Sequence, residues 1–245
     1  LEREVFMRQF PRPRLVISQC IEFDCCRWNG VTVASDIVKL LKPFVEFLPV
    51  CPEVGIGLGV PREPVRVVGM NGERRLVQPA TQQDLTAKMQ TFTDDFANEL
   101  HDIDGFILKS RSPSCGARDV KIYPPGEHTT PISKGAGMFA RTILERFPLA
   151  AVEDEARLLD ANIRHDFLTR IFTLAAFRQA KASGRMRDLV QFQAENKYLL
   201  MSYNEQETRE MGNIIANHEQ RSLDEVVREY QIHLARALAE PPGLK

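Results

Sequence analysis

Apolar and polar positions alternate in short blocks over the first 150 residues. Apolar runs rich in β-branched residues and bounded by turn residues predict strands at 14–18, 44–50, 105–108 and 120–123. Apolar positions three and four apart predict helices over 34–41, 83–102 and 135–147, and Asn71-Gly72 predicts a hairpin turn. Strands alternating with helices are typical of an α/β fold, so we expect a Rossmann-like domain with a mainly parallel sheet over residues 1–150.

The pattern changes after Pro148. From Glu153 to Ala239 the chain has no proline and only two glycines, and its apolar residues recur at helical spacing. This stretch predicts helices at about 153–182, 186–201, 205–217 and 222–239. One apolar stripe consists of Leu158, Phe167, Ile171, Leu174 and Phe177. We therefore expect an all-α C-terminal domain over residues 151–245.

Composition is ordinary for a globular protein, with 43% hydrophobic and 27% charged residues among 245. No apolar run approaches the ~18 residues of a membrane span, and the N-terminus lacks a secretory pattern, so we expect a cytoplasmic chain without membrane contact. Five cysteines confined to the first half predict reduced thiols rather than a disulfide framework.

The net charge of −1 gives no bulk sign of a nucleic-acid binder. A local basic patch is still conceivable, and the alternative for the same residues is a solvated loop surface. The arginines concerned are Arg62, Arg66, Arg74, Arg75, Arg111 and Arg118.

Three cysteines, Cys20, Cys51 and Cys115, each follow a predicted strand. Their intervals are too wide for paired Cys-x-x-Cys ligands, so they would have to converge through the fold, at the carboxyl edge of the sheet. Three thiolates can hold three irons of a [4Fe-4S] cluster with the fourth iron open, or a catalytic zinc, or they can be small buried core residues. Cys25 and Cys26 are expected to be packing or loop residues.

Two kinds of oxygen group accompany these thiols. Glu53 follows Cys51 by two residues and suits a general acid or base, the alternative being a turn cap. Ser112 and Ser114 flank Pro113, and either can donate a hydrogen bond to a developing anion or simply form the turn. The glycines at 55, 57 and 59 fit neither the dinucleotide fingerprint nor the P-loop.

Several long motifs occur in one order and together resemble the TudS thiouracil desulfidase family. They are Ser18-Gln19-Cys20, Cys26-Arg27-Trp28-Asn29-Gly30, Cys51-Pro52-Glu53-Val54-Gly55-Ile56-Gly57-Leu58-Gly59-Val60-Pro61-Arg62 and Ser110-Arg111-Ser112-Pro113-Ser114-Cys115-Gly116. In the second half, His165-Asp166-Phe167-Leu168 and Asn196-Lys197-Tyr198-Leu199-Leu200-Met201 resemble a YbgA-type helical domain. The combination is similar to the two-domain, RudS-type members.

The resemblance implies a [4Fe-4S] cluster held by Cys20, Cys51 and Cys115, with one iron open for the sulfur of the substrate. It also implies Glu53 as the catalytic carboxylate and Ser112 as the assisting hydroxyl. For two-domain members it implies removal of sulfur from 4-thiouridine in tRNA, a non-redox cleavage of the C–S bond that gives uridine and hydrosulfide.

Substrate contacts are predicted for Ser18, Ser114, Arg111, Trp28 and Asn29. The first loop departs from the family pattern, because Gln19, Ile21, Trp28 and Asn29 replace the residues that members often have there. Two alternatives remain: a desulfidase of free thiouracil or thiouridine nucleotides, and a non-catalytic metal protein whose helical domain binds a partner. The oligomeric state is not predicted.

Overall fold

The computed structural model describes residues 10–70, 72–126, 130–219 and 221–242. These residues divide into an α/β unit, Arg14–Phe167, and a helical unit made of the described residues from Leu168 onward together with those before Arg14. The predicted boundary at residue 150 lies earlier than this division, because a further strand and the start of a long helix belong to the α/β unit.

Strands and helices are interspersed along the α/β unit, whereas helices follow one another in the helical unit. The strands are β1 (Arg14–Ser18), β2 (Glu46–Val50), β3 (Arg66–Met70), β4 (Glu73–Gln78), β5 (Gln83–Asp84), β6 (Gly105–Leu108), β7 (Val120–Tyr123), β8 (Ser133–Gly135) and β9 (Ala151–Asp154). The helices are α1 (Asp36–Leu41), α2 (Pro52–Gly55), α3 (Thr86–Glu99), α4 (Met138–Arg146), α5 (Ala161–Ala182), α6 (Met186–Tyr203), α7 (Glu205–Ala216) and α8 (Leu223–Ala237). Short 3-10 turns occur at Pro79–Thr81 and Arg157–Leu159.

A parallel sheet forms the centre of the α/β unit. Its described strands run in the order β2-β1-β6-β9, and every neighbouring pair is parallel. The side chains of Leu15, Val16 and Ile17 on β1 are fully buried, as are those of Phe106 and Ile107 on β6. Continuous apolar strands of this kind are typical of a parallel sheet covered on both faces. The predicted fold class, α/β followed by all-α, is confirmed.

A second sheet was not predicted. Its described strands run in the order β5-β4-β3-β7-β8, with β3 and β7 parallel and the other pairs antiparallel. The predicted hairpin is its β3-β4 pair, although Asn71 of the predicted turn lies outside the described residues. The predicted strand 120–123 belongs to this sheet rather than to the parallel one.

Helix starts were predicted too early because flanking residues take other roles. Gln83 and Asp84 pair with β4, and the Asp84 carboxylate accepts a hydrogen bond from the backbone of Thr86, where α3 begins. The helix predicted from 153 begins only at Ala161, because residues 151–154 form β9. Asp160 caps it, since its Oδ1 accepts from the backbone nitrogens of residues 162 and 163.

The helical unit confirms the predicted series of helices after residue 168. Its core includes the rings of Phe177, Phe192 and Tyr230, whose centroids lie 5.6 to 6.1 Å apart. Helix α8 begins with a capping box between Ser222 and Glu225, which satisfies backbone groups at the helix start. No helix in the described part of the chain is long and apolar enough to cross a membrane.

Candidate functional site

The carboxyl ends of β1, β2 and β6 meet at one cavity of about 340 Å³ in the α/β unit. Because these strands are adjacent and parallel, the residues that follow them lie at the same edge of the sheet. Cys20, Cys51 and Cys115 all line this cavity, which we call the thiol cavity. The predicted convergence of three widely separated cysteines is therefore present in the fold. All five cysteines of the chain are free thiols.

Cys26 is a fourth thiol of the same cavity. It is 3% exposed, it lines the thiol cavity, and its backbone oxygen lies 3.7 Å from the Sγ of Cys51. Cys25 instead is exposed, with its sulfur 3.2 Å from the hydroxyl of Thr32. Cys26 was expected to be a packing or loop residue, and the structure places it in the site because the first loop folds back over β2.

The pKa values of three of these thiols, Cys26, Cys51 and Cys115, are raised by burial and by neighbouring groups. A hydrogen bond with Cys20, together with burial, raises the pKa of Cys26 to about 11 despite an opposing contribution from Cys51. A hydrogen bond with Cys26 and burial raise the pKa of Cys51. Burial raises the pKa of Cys115, although hydrogen bonds with the hydroxyls of Ser18 and Ser112 act in the opposite direction. Because only the thiolate binds metal, loading this cavity must release protons.

The Cys115 loop, residues 109–119, is fixed by its own side chains and by α4. The Ser112 Oγ accepts hydrogen bonds from the backbone nitrogens of Ser114, at 3.3 Å, and Cys115, at 3.1 Å. The backbone of α4 donates to the oxygens of Pro113 and Ser114. This close approach requires glycine at 137, because a Cβ there would lie 2.6 Å from both of those oxygens. Because the Ser112 oxygen accepts from these two backbone groups, its hydroxyl proton is left to donate, and the sulfur of Cys115 is one acceptor within reach.

Helix α2 begins directly after Cys51, and Glu53 lies in its first turn and lines the thiol cavity. Its Oε1 accepts a hydrogen bond of 2.9 Å from the hydroxyl of Ser114. Its Oε2 lies 2.9 Å from Nε and 2.8 Å from Nη2 of Arg62, and the two side chains are only 12% and 5% exposed. The two-point contact with the guanidinium and the bond from Ser114 hold the Glu53 carboxylate in a fixed position.

A second buried carboxylate supports the opposite wall. Glu155 follows β9 and accepts hydrogen bonds from the ammonium of Lys109 and from the backbone and hydroxyl of Ser110. Burial opposes its charge, but these hydrogen bonds outweigh burial and lower the pKa of Glu155. Lys109 also donates its backbone N–H to the Ser18 Oγ at 2.8 Å. The network ties β1, β6 and β9 together behind the thiols.

The predicted substrate contacts are only partly brought together. Ser18, Trp28 and Arg111 line the thiol cavity, and Trp28 is 45% exposed at its mouth. Ser114 does not line the cavity: it is fully buried, and its hydroxyl donates to Glu53. Asn29 is exposed in the turn and is not among the lining residues either. Ser114 therefore positions Glu53 in this structure.

Sequence reasoning missed Arg62, Cys26, Lys109 and Glu155. Arg62 ends the long motif that contains Cys51, so its position in that motif was an available signal. Glu155 follows a strand end, as the cysteines do, but the residues before it were assigned to a helix. Lys109 comes directly after β6, one residue before the motif that contains Cys115 begins.

Comparisons with known proteins cover both units. A family profile described as 2-thiouracil desulfurase matches residues 15–155, and one described as protein of unknown function (DUF1722) matches residues 197–245. The uncharacterized protein YbbK of Bacillus subtilis (strain 168) is 31% identical over 113 residues, which are 42% of this chain and 73% of that protein. The solved structure of a [4Fe-4S]-dependent thiouracil desulfidase, TudS (DUF523Vcz), is 26% identical over 60% of this chain and 94% of its own, with a TM-score of 0.46. The first profile contains all the strand ends that carry the thiols.

Proposed function

Because the chain belongs to the 2-thiouracil desulfurase family, whose members cleave the C–S bond of a thiocarbonyl, we propose that it removes sulfur from 4-thiouridine in tRNA. The products are uridine and hydrosulfide. One observation carries the proposal: three thiols from separate strand ends, a buried carboxylate and a serine hydroxyl line the same small cavity. The two-domain arrangement of the motifs supports tRNA as the substrate.

The donor set fits an iron-sulfur cluster better than a single ion. Within the described residues, no three His, Cys, Asp or Glu side chains are arranged to hold one metal ion. A [4Fe-4S] cluster distributes its thiolate ligands over separate irons, so it needs thiols around a cavity rather than about a point. Cys20, Cys51 and Cys115 meet that requirement and would be its ligands. When bound, the cluster supplies an open, Lewis-acidic iron suited to the soft sulfur of a thiocarbonyl.

The chain's own groups supply the proton chemistry. Glu53, positioned by Arg62 and Ser114, accepts a proton from the water whose oxygen bonds to the thiocarbonyl carbon of the substrate. Ser112 lines the cavity and its oxygen is occupied by two backbone donors, so its hydroxyl can only donate further, either to the sulfur of Cys115 or to negative charge that develops on the substrate. As the C–S bond breaks, the proton held by Glu53 passes to the sulfur, which leaves as hydrosulfide, and the oxygen added from water loses its second proton to solvent as the carbonyl forms. Neither oxidant nor reductant is consumed.

The cavity is large enough for a nucleobase. Its volume of about 340 Å³ lies within the range of pockets that hold small ligands. A tRNA substrate must therefore present its thiolated base out of the stack, as enzymes that modify bases generally require.

The test is anaerobic reconstitution with iron and sulfide, followed by measurement of sulfide released from thiolated tRNA and from free thiouracil. Glu53→Gln is expected to lower kcat by about 10²-fold or more, the usual contribution of a general base. Glu63→Gln is the matched control, because that carboxylate is exposed and does not line the cavity.

The outcomes separate the alternatives. Conversion of free thiouracil with 4-thiouridine in tRNA left intact would refute tRNA as the substrate and favour the free base or nucleotide. A bound cluster with no sulfide released from any thiopyrimidine would refute catalysis altogether, in favour of a non-catalytic metal protein.

A further inference from the structure

A second cavity of about 660 Å³ lies beside the thiol cavity in the α/β unit. Arg111 and Pro113 of the Cys115 loop line both cavities, so the loop forms their common wall. The second cavity, which we call the cationic groove, is lined by the polar residues Arg66, Arg111, Asp119, Lys121, Tyr123 and Lys134. A ligand that extends from the thiol cavity past Arg111 would therefore reach residues of this groove.

Positive charge dominates the groove. Among the described residues that line it, four are basic and Asp119 is the one acidic side chain. Asp119 lies 3.5 Å from Lys134, and Arg66 lies over the ring of Tyr123 at 5.4 Å while donating to the backbone oxygen of Gly126. Arg111, Lys121 and Lys134 are exposed. Although the net charge of the chain is −1, four basic side chains lie together next to the candidate site.

The second sheet creates this concentration by its register. β7 and β8 are antiparallel, and Lys121 lies directly opposite Lys134. Like charges directly opposite one another across two strands destabilise a sheet. β3 brings Arg66 alongside, because Val67 and Val68 pair with Ile122 and Tyr123 of β7. An anion bound between these strands would offset the repulsion, which is an argument for a ligand that is independent of the thiol cavity.

We infer that the cationic groove binds the phosphodiester backbone of a single-stranded RNA segment next to the base held in the thiol cavity. Lysine and arginine side chains bind phosphate oxygens without reading sequence. The inference rests on the proposed function, since it takes the reacting base to lie in the thiol cavity and the neighbouring phosphates to lie beyond Arg111, which lines both cavities. It gives Arg111 the junction position between the base and its neighbouring phosphate.

The experiment removes the cross-strand lysine pair. The double variant Lys121→Gln with Lys134→Gln is compared with Lys39→Gln with Lys88→Gln, two exposed lysines of the same unit that do not line the groove. Binding of a labelled, unthiolated single-stranded RNA to the reconstituted protein is measured at several salt concentrations. Sulfide release from free thiouracil, 4-thiouridine monophosphate and a thiolated oligoribonucleotide is measured in parallel.

The groove variant is expected to bind RNA at least about 10-fold more weakly, and the slope of log affinity against log salt to fall by about 1.4, or 0.7 for each lost contact with single-stranded RNA. Its sulfide release from free thiouracil and its thermal unfolding midpoint should equal those of the control. Because like-charge repulsion is removed, loss of folding is not expected.

RNA affinity and salt slope equal to the control would overturn the inference while leaving the proposed function intact. If the groove variant loses sulfide release equally from the monophosphate and from the oligoribonucleotide, the groove binds a single phosphate rather than an RNA strand, and the inference is overturned. Displacement of the bound RNA by polyglutamate through the groove lysines, with no RNA preference at matched charge, would overturn it in favour of an acidic protein. If the wild type releases no sulfide from any substrate, the proposed function fails, and RNA affinity alone then decides about the groove.

Discussion

Arg62→Met should destabilise the α/β unit strongly, because it leaves the Glu53 carboxylate buried without its cation. The wild-type pair is close to fully shielded, with exposures of 5% for Arg62 and 12% for Glu53. Removing one partner of a buried ion pair typically costs about 3–5 kcal/mol, whereas exposed pairs contribute about 0–1 kcal/mol. Because both side chains are shielded from solvent, we expect Arg62→Met to lower the free energy of unfolding by about 3–5 kcal/mol.

Urea unfolding followed by tryptophan fluorescence measures this loss. Trp28 is the chain's only tryptophan, and its backbone oxygen accepts a hydrogen bond of 2.8 Å from the backbone nitrogen of Arg62, so its signal reports on the unit concerned. The control is Arg14→Met, which breaks an exposed pair with Glu46 whose side chains are 41% and 63% exposed. We expect the control to lose less than about 1 kcal/mol.

The double variant Arg62→Met with Glu53→Gln tests the physical cause. If the loss comes from an uncompensated charge, neutralising Glu53 should recover a large part of it, and the two substitutions should be strongly non-additive. A loss for Arg62→Met no larger than that for Arg14→Met, or simple additivity in the double variant, would refute the reasoning.

Three further predictions concern other parts of the same unit. Cys26→Ser should lower the affinity for iron about tenfold, as loss of a supporting group at a metal site often does. Cys25→Ser, at an exposed thiol, should leave the affinity unchanged. Equal iron content in the two proteins would contradict a role for Cys26 in the cavity. The pKa of Glu155 is lowered in the folded protein, so its contribution to the free energy of unfolding is present above the ordinary carboxyl pKa and is lost as pH falls through the lowered value. Urea unfolding from about pH 7 down to about pH 3 should show this loss of stability. Glu155→Gln should show a shallower dependence of stability on pH. Gly137→Ala should cost about 1–3 kcal/mol by overpacking against backbone oxygens, whereas Gly59→Ala, where a Cβ meets nothing within 4 Å, should change stability by less than about 1 kcal/mol; similar unfolding midpoints for the two would show that the helix can move away.

Elements were predicted correctly from the sequence where their pattern of apolar residues fits only one kind of secondary structure. The apolar runs of β1 and β6 bury every side chain of their central residues, and the stripe from Leu158 to Phe177 is buried at each of its five positions. The convergence of the cysteines could also be predicted, because residues after parallel strands share one edge of a sheet. Local periodicity and one topological rule were sufficient for these features.

Other features depended on contacts that no local pattern encodes. Glu155 was hidden because residues 151–154 are too short a run to outweigh the helical signal that follows, and only their pairing with β6 makes them a strand. Arg62 could be seen as a motif residue, but its salt bridge to Glu53 depends on how the chain after α2 returns to the cavity. Cys26 lines the cavity while its neighbour Cys25 is exposed, and which of two adjacent thiols faces a site depends on the course of the whole loop.

The strand order of the parallel sheet also determines when the thiol cavity can exist during synthesis. β1 is made first but pairs on one side with β6, whose residues emerge only after the whole intervening hairpin of the second sheet and α3. Pairings between such distant segments form late, since the entropy of closing a long loop must be lost before the contacts between the strands stabilise the fold. A nascent chain that ends before the Cys115 loop can bring together no more than two of the three thiols, Cys20 and Cys51, and Glu155 is synthesised later still. Cofactor delivery to this protein is therefore expected to follow translation of the α/β unit and not to accompany it.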